Sequence, residues 1–202
     1  MQNITLITYS KGKSYELSKK HITQLAKNSN FFTNIINYSY EDIDKSFINK
    51  YQYAMSQPRS AGHSIWKIHL IKKTLEISKK NDIVMYIDCG STINPLAAKR
   101  FYEYIEILNS SEFGNLMFEN PSVYIEKHWT TKRLFDYFQV DENSDIRNTP
   151  QLIGGHLLFK KNEHTKDYVD LFFKCLDFDE KLITDYYNNE DNHDEFIENR
   201  HD

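Results

Sequence analysis

The stretch Tyr86-Ile87-Asp88-Cys89-Gly90 places a carboxylate one step beyond a near-continuous apolar run, Ile83 to Ile87. A run of this kind, bounded by polar turns, fits a strand of a parallel sheet buried on both faces. Ligands of open α/β sheets bind outside the carboxyl ends of the strands, so a side chain at position 88 would face a pocket. An oxygen ligand there can hold manganese or magnesium, which in turn bridges the oxygens of a diphosphate. Gly90 lets a ligand approach the backbone. On spacing alone a second role fits Asp88 equally well, that of closing a turn or capping the next helix.

Upstream, Arg59-Ser60-Ala61-Gly62-His63-Ser64-Ile65-Trp66-Lys67 sets two cations around a small-residue turn and a helix start. Exposed N–H groups and the helix dipole favour anions at such a place. Arg59 offers a fork for phosphate oxygens and Lys67 a point charge. The same residues also read as an ordinary turn, with Ser64 as helix cap and Trp66 in the core.

The elements that must position these groups follow from the apolar pattern. Ile4 to Tyr9 is a β-branched run ended by Lys11-Gly12, and Leu17, Ile22 and Leu25 then fall at helical spacing. Phe31 to Tyr38 reads as a second strand, and Ile43, Phe47 and Tyr51 as a second helix that stops before Pro58. The order β-α-β-α predicts a mainly parallel central sheet covered by helices. Ile65 to Ile77 is the clearest helix, with Ser64 before it. Helices are also predicted from Pro95 to Leu108, from Thr130-Thr131 to Phe138 and over Thr165 to Leu176, with strands at Asn115–Phe118 and Leu152–Phe159. Gly154-Gly155 marks a bulge or a close backbone approach within the last.

Composition narrows the function classes. The chain has 202 residues, a net charge of −4 and interspersed charges with no Lys/Arg stripe, which argues against binding to a nucleic-acid backbone. Cys89 and Cys175 are the two cysteines, and they suggest no disulfide framework. No apolar stretch reaches membrane-spanning length and the N-terminus has no signal-peptide core, so the expectation is a soluble protein of a reducing, cytoplasmic compartment. With no internal repeat, the chain reads as one α/β domain.

Taken in order, these motifs resemble a group of small GT-A type glycosyltransferases of bacterial polysaccharide loci and large DNA viruses. The resemblance rests on Arg59 to Lys67, on Ile83 to Asn94, on Glu126-Lys127-His128-Trp129-Thr130-Thr131-Lys132-Arg133, on Gln151 to Gly155 and on Ile197 to Asp202. It implies a Rossmann-like GT-A fold with a nucleotide-sugar-binding half (residues 1–110) and an acceptor half (111–202). It also implies transfer of a hexosyl or deoxyhexosyl group from a nucleoside-diphosphate sugar to a glycan, assisted by manganese or magnesium.

By the same resemblance Asp88 stands for the donor-site carboxylate and a metal ligand, and Arg59 and Lys67 for basic residues near the nucleotide. Gly62, Trp66, Cys89 and Gly90 flank the donor. Trp129, Lys132 and Arg133 lie beside the sugar and acceptor, and Gln151, Gly154 and Gly155 along the acceptor strand. His201 and Asp202 match a late His-Asp element, as metal ligand and cleft carboxylate respectively. Three departures stand out, one being His63-Ser64 at a place where members of the group often have aromatics. Position 90 is glycine, so the second carboxylate of an Asp-x-Asp motif is missing. Members of the group also continue past the His-Asp element, which implies a shortened C-terminus here.

The cluster of Asp191, His193, Asp194 and Glu195 reads as a solvated charge run rather than a metal site. A non-catalytic nucleotide- or carbohydrate-binding module derived from such an enzyme is the alternative function. A nucleotidyltransferase is disfavoured, because no Gly-rich phosphate loop follows the first strand.

Overall fold

The computed structural model describes residues 2–200. Strand β1 (Ile4–Tyr9) is buried at all six positions, as its unbroken β-branched run requires of a strand covered on both faces. Helix α1 (Glu16–Ser29) leads into β2 (Asn34–Tyr38), and β1 and β2 pair in parallel with Leu6 opposite Ile35. Strand β3 (Ile83–Ile87) lies on the other side of β1, also parallel, with Ile7 opposite Tyr86.

The remaining strands correct the expectation of a mainly parallel sheet. Strand β5 (His156–Lys160) runs antiparallel to β3, and the two-residue β4 (Asn115–Leu116) runs antiparallel to β5. The five-stranded sheet, in the order β2-β1-β3-β5-β4, is therefore mixed. An apolar run buried on both faces reads the same in either direction, so hydrophobic pattern alone could not set the direction of β5. The reversal has a local consequence: Ile87, at the carboxyl end of β3, faces His156, at the amino end of β5.

Two compact units emerge, each assembled from three separate segments. The first comprises the residues up to Asp44, Lys67–Met117 and Gly154–Val169, and it contains the whole sheet. Its core is built on Leu6, Ile7, Ile83, Val84, Tyr86, Leu158 and Phe159, with Ile22 of α1 and Leu70 and Ile71 of α5 (Trp66–Ile77), all essentially inaccessible to solvent. Lys160 is buried at the end of β5, where its ammonium donates to the carbonyls of Leu108, Asn109 and Ser111 and so closes the C-terminus of α6 (Ala98–Ser110).

The second unit comprises Lys45–Trp66, Phe118–Ile153 and the residues from Asp170 onward. It is made of short helices: α2 (Lys45–Lys50), α3 (Gln52–Ser56), α7 (Glu126–Trp129), α8 (Lys132–Tyr137) and the later part of α9 (Glu163–Phe178). Aromatic packing replaces a sheet there, with Phe47 edge-on to both Tyr51 and Phe173. Glu180 accepts from the Tyr53 and Ala54 amides at the start of α3. The turn α4 (Ser60–His63) is left-handed: five consecutive residues, Ser60 to Ser64, have positive φ, and four of them carry side chains.

Several boundaries differ from the sequence expectations for local reasons. Ser64 lies in the left-handed region (φ 60) instead of the extended conformation of an N-cap, and α5 opens at Trp66. Helix α6 begins at Ala98, three residues after Pro95, because Asn94 forms its own turn by accepting from the Leu96 amide. Leu152 does not join β5; it forms an isolated bridge with Glu119. Helix α8 opens beside the predicted Thr130-Thr131, and Thr131 caps it by accepting from the Leu134 amide.

Candidate functional site

Strand geometry puts residues two apart on one face, so Tyr86 and Asp88 project together from the end of β3. The Tyr86 hydroxyl donates to Asp88 Oδ1 at 2.5 Å. Lys67, in the first turn of α5, lies 3.8 Å from the same oxygen and 5.0 Å from the centre of the Tyr86 ring. Its ammonium also donates to the Gly154 carbonyl at 2.9 Å. The Lys67 side chain is 6 % exposed and that of Asp88 46 %. A cation thus sits behind the carboxylate, and the carboxylate faces outward.

The antiparallel pairing of β5 completes the arrangement. Gly155 accepts from the Asp88 amide at 3.0 Å, and a Cβ at position 155 would come within 2.8 Å of Asp88 Oδ2. A side chain there would move the carboxylate from its present position, so glycine leaves room for this close approach and is not needed for a special φ. The two roles left open for Asp88 also separate by atom. Its carbonyl closes the following turn by accepting from the Ser91 amide, while its carboxylate is turned to Tyr86 and Lys67.

Two further polar groups lie on the neighbouring strand, on the face that alternates away from Asp88. Thr8 Oγ1 and Ser10 Oγ, at the carboxyl end of β1, are buried and have no hydrogen-bond partner among the described residues. The β1–β3 register, carried two residues past Ile7 and Tyr86, sets Tyr9 level with Asp88. Cys89 is buried, and that burial, followed by the charge of Asp88, raises its thiol above the usual range; it is poorly suited to nucleophilic attack. A Cβ at Gly90 would meet open space, so no protein contact demands glycine there.

The other sequence-derived candidates belong to the second unit. Arg59 is engaged by protein carboxylates: its Nη1 and Nη2 each lie 3.0 Å from an oxygen of Glu198, and Nη1 is 3.2 Å from Asp185. Those bonds, Glu198 first, hold the guanidinium above its ordinary range. Gly62 is packed against Met55, where an added Cβ would meet the Met55 Cα at 2.9 Å. Trp66 is buried, with its indole N–H on the Ser60 carbonyl.

Trp129 is half-buried beside Tyr124 and under the Arg200 guanidinium. Lys132 and Arg133 line a cavity of about 220 Å³ with Asp136, Glu190, Asp191 and Asn192, in which Arg133 is paired with Glu190 at 2.8 Å. Gln151 is buried and donates to Glu126. His201 and Asp202 lie outside the described residues. Of the whole set, Lys67, Asp88, Cys89, Gly90, Gly154 and Gly155 fall in the sheet unit. Arg59, Gly62, Trp66, Trp129, Lys132, Arg133 and Gln151 do not.

Sequence reasoning did not single out Tyr86, Thr8 or Ser10. The signal for Tyr86 was present in its spacing of two from Asp88; the hydroxyls of β1 became notable only once β3 was known to be their neighbour.

Among the described residues, the donor set at Asp88 alone fits a divalent cation poorly; His201, the other residue matched to a metal ligand, lies outside them. Asp88 Oδ1 is already shared by a hydroxyl and an ammonium, and among the described residues no group of three His, Cys, Asp or Glu is placed to hold a metal. No helix among them is long and apolar enough to cross a membrane. A scan against protein-family models gives no match. A search of curated proteins returns none either.

Proposed function

We propose that the chain is a glycosyltransferase that binds a nucleoside-diphosphate sugar at the carboxyl end of β3 and passes the sugar to a glycan hydroxyl. The observation that carries this reading is Asp88: a half-exposed carboxylate at a strand tip, fixed by Tyr86 and Lys67 and given room by Gly155. Carboxyl strand ends are where α/β sheets take ligands. The ordered resemblance of the motifs supplies the class of reaction.

In that reaction the bond from the anomeric carbon to the β-phosphate oxygen breaks, and the diphosphate keeps the electron pair. The acceptor hydroxyl oxygen forms the new bond to the anomeric carbon, and its proton passes to the departing diphosphate or to water. Such transfers pass through an oxocarbenium-like state, so groups fixed before the reaction near the sugar and the leaving oxygen matter most.

Titration of the protein with UDP- and GDP-sugars by calorimetry tests the reading. One donor is expected to bind, and Asp88→Asn to weaken it by about tenfold, as loss of a charged hydrogen-bond partner does. Binding of no donor, or an Asn variant as good as wild type, defeats the assignment.

A second reading, a binding module without transfer, is favoured by the engagement of Arg59 with Glu198 and Asp185. That fork is satisfied by protein carboxylates. This reading expects donor binding with no release of nucleoside diphosphate.

A further inference from the structure

We propose that the loop joining β1 to α1 is a site for a phosphate group, held from below by the hydroxyls of Thr8 and Ser10 and from above by Lys11, Lys13 and Lys19. The site lies on the face of the sheet opposite to Asp88, and the inference does not depend on the reading of that carboxylate.

The placement follows from register. Thr8 stands opposite Asn37 of β2, and paired residues of parallel strands share a face, so Thr8, Ser10 and Asn37 project together. Helix α1 covers that face, since the Thr23 hydroxyl lies 3.0 Å from Asn37 Oδ1. The face bearing Tyr9 and Tyr38 belongs to α5 instead, where Tyr38 and Thr74 share a hydrogen bond. Lys19 comes one helical turn before Thr23 and so lies nearer the carboxyl end of the strands. The β1–β3 register, carried three residues past Ile7 and Tyr86, sets Ser10 level with Cys89. Burial and the charge of Asp88 raise the Cys89 thiol while the charge of Lys19 opposes them, which agrees with an ammonium above this corner.

Two observations point to a ligand. Thr8 is 1 % exposed and Ser10 5 %, and neither hydroxyl oxygen has a hydrogen-bond partner among the described residues. A buried hydroxyl left unpaired is costly, so two of them at one strand tip suit an acceptor that arrives from outside. The second observation is the opening of α1, a 14-residue helix. Neither Gly12, before the single 3-10 turn Lys13–Tyr15, nor Tyr15, at the helix start, offers a side-chain cap. Uncapped amides and the helix dipole favour an anion there. Lys11, Gly12 and Lys13 are exposed, and a Cβ at Gly12 would meet open space, so the bend of the loop is clear.

The chemistry favours phosphate over a carboxylate. A phosphate dianion brings several acceptor oxygens, enough for two hydroxyls, helix amides and more than one ammonium. Glu16 now lies 3.2 Å from Lys19, on a side chain that is 47 % exposed. A phosphate takes the place of that carboxylate.

The experiment titrates the isotope-labelled full chain with sodium phosphate, with glucose 1-phosphate and, at matched ionic strength, with sodium chloride. Amide shifts locate binding and the melting temperature follows it separately. Phosphate or its monoester is expected to move the amides of residues 10–19 and to raise Tm, and chloride to do neither. Tighter binding of the monoester assigns a phosphorylated metabolite, and tighter binding of the inorganic ion assigns free phosphate; either supports the site. Thr8→Val combined with Ser10→Ala is expected to weaken binding by about tenfold without lowering Tm in phosphate-free buffer. Lys11→Gln combined with Lys13→Gln, both on the surface, is expected to weaken it by about fivefold and covers the case in which the hydroxyl variant fails to fold. Asp88→Asn is expected to bind phosphate as wild type does.

No shift at residues 10–19, or shifts matched by chloride or scattered over surface lysines, means an adventitious ion only and overturns the inference. A hydroxyl variant that melts lower in phosphate-free buffer and still binds as wild type overturns it too, because Thr8 and Ser10 would then be structural groups bridged by water. Loss of phosphate binding in Asp88→Asn would put the ion at the tip of β3, which overturns this site and leaves the reading of Asp88 standing.

Discussion

In the sheet unit a buried ammonium, Lys67, backs a half-exposed carboxylate, Asp88. In the second unit the guanidinium of Arg59 is gripped by two partly exposed carboxylates, Asp185 and Glu198. Both cations come from one short motif, and both suited a phosphate when read as sequence. Their fates differ because their partners come from different places. Lys67 meets a strand tip and a glycine turn, whereas the carboxylates that hold Arg59 lie 126 and 139 residues away in the chain. A cation's neighbours in sequence say little about which anion it will serve.

The two units also differ in what holds them. The sheet unit buries long apolar runs between paired strands; the second relies on aromatic edges, short helices, ion pairs and the left-handed turn at α4. Breaking the sheet should therefore have the largest effect. Phe159, fully buried in β5, is expected to cost about 3–5 kcal/mol when replaced by alanine, measured as a shift of the urea midpoint. A loss under about 1 kcal/mol would mean that the sheet unit is not where stability resides.

Next in size is Gly62→Ala, which tests the strained turn. Gly62 has φ 103 and faces the Met55 backbone, so a methyl group adds both backbone strain and a clash, about 2–3 kcal/mol together. Retention of full stability would show that α4 relaxes easily.

A smaller effect is expected from Arg59→Gln. Its partners are all more than a third exposed, and screened pairs of that kind contribute less than about 1 kcal/mol. The readout is faster amide exchange over residues 188–200, with the difference from wild type shrinking in high salt. A salt-insensitive loss would place this network among buried interactions and erase the contrast with Lys67.

The smallest change comes from pH in the sheet unit. Burial is the main cause that holds the His69 imidazole below its usual range near 6.5, against the opposing pull of Asp44. The folded state therefore resists protonation more than the unfolded chain does. Its contribution is complete above about pH 6.5 and is lost as the pH falls through the lower folded value. Melting temperatures compared at neutral and acid pH should fall more steeply for wild type than for His69→Gln. Equal slopes would show that the imidazole is effectively solvated.

Much of the architecture was legible before the structure. The runs at Ile4–Tyr9 and Ile83–Ile87 gave β1 and β3, the spacing of Ile68, Ile71 and Leu75 gave α5, and Thr131 marked the start of α8. Those features are local: side-chain period, caps and the burial a continuous apolar run demands. Position 88 was legible only as a carboxylate just past a buried strand; spacing alone did not separate a ligand-facing role from closing a turn.

The direction of β5 was not legible, and on it depends whether Gly155 or Lys160 ends up beside Asp88. Nor could the pattern tell that Lys67 would turn inward to the Gly154 carbonyl while Arg59 would be held by the tail. Period and composition fix which faces are apolar, and so which elements form. Pairing direction and the choice of counter-charge depend on residues far apart in the chain, and only their packing together decides them.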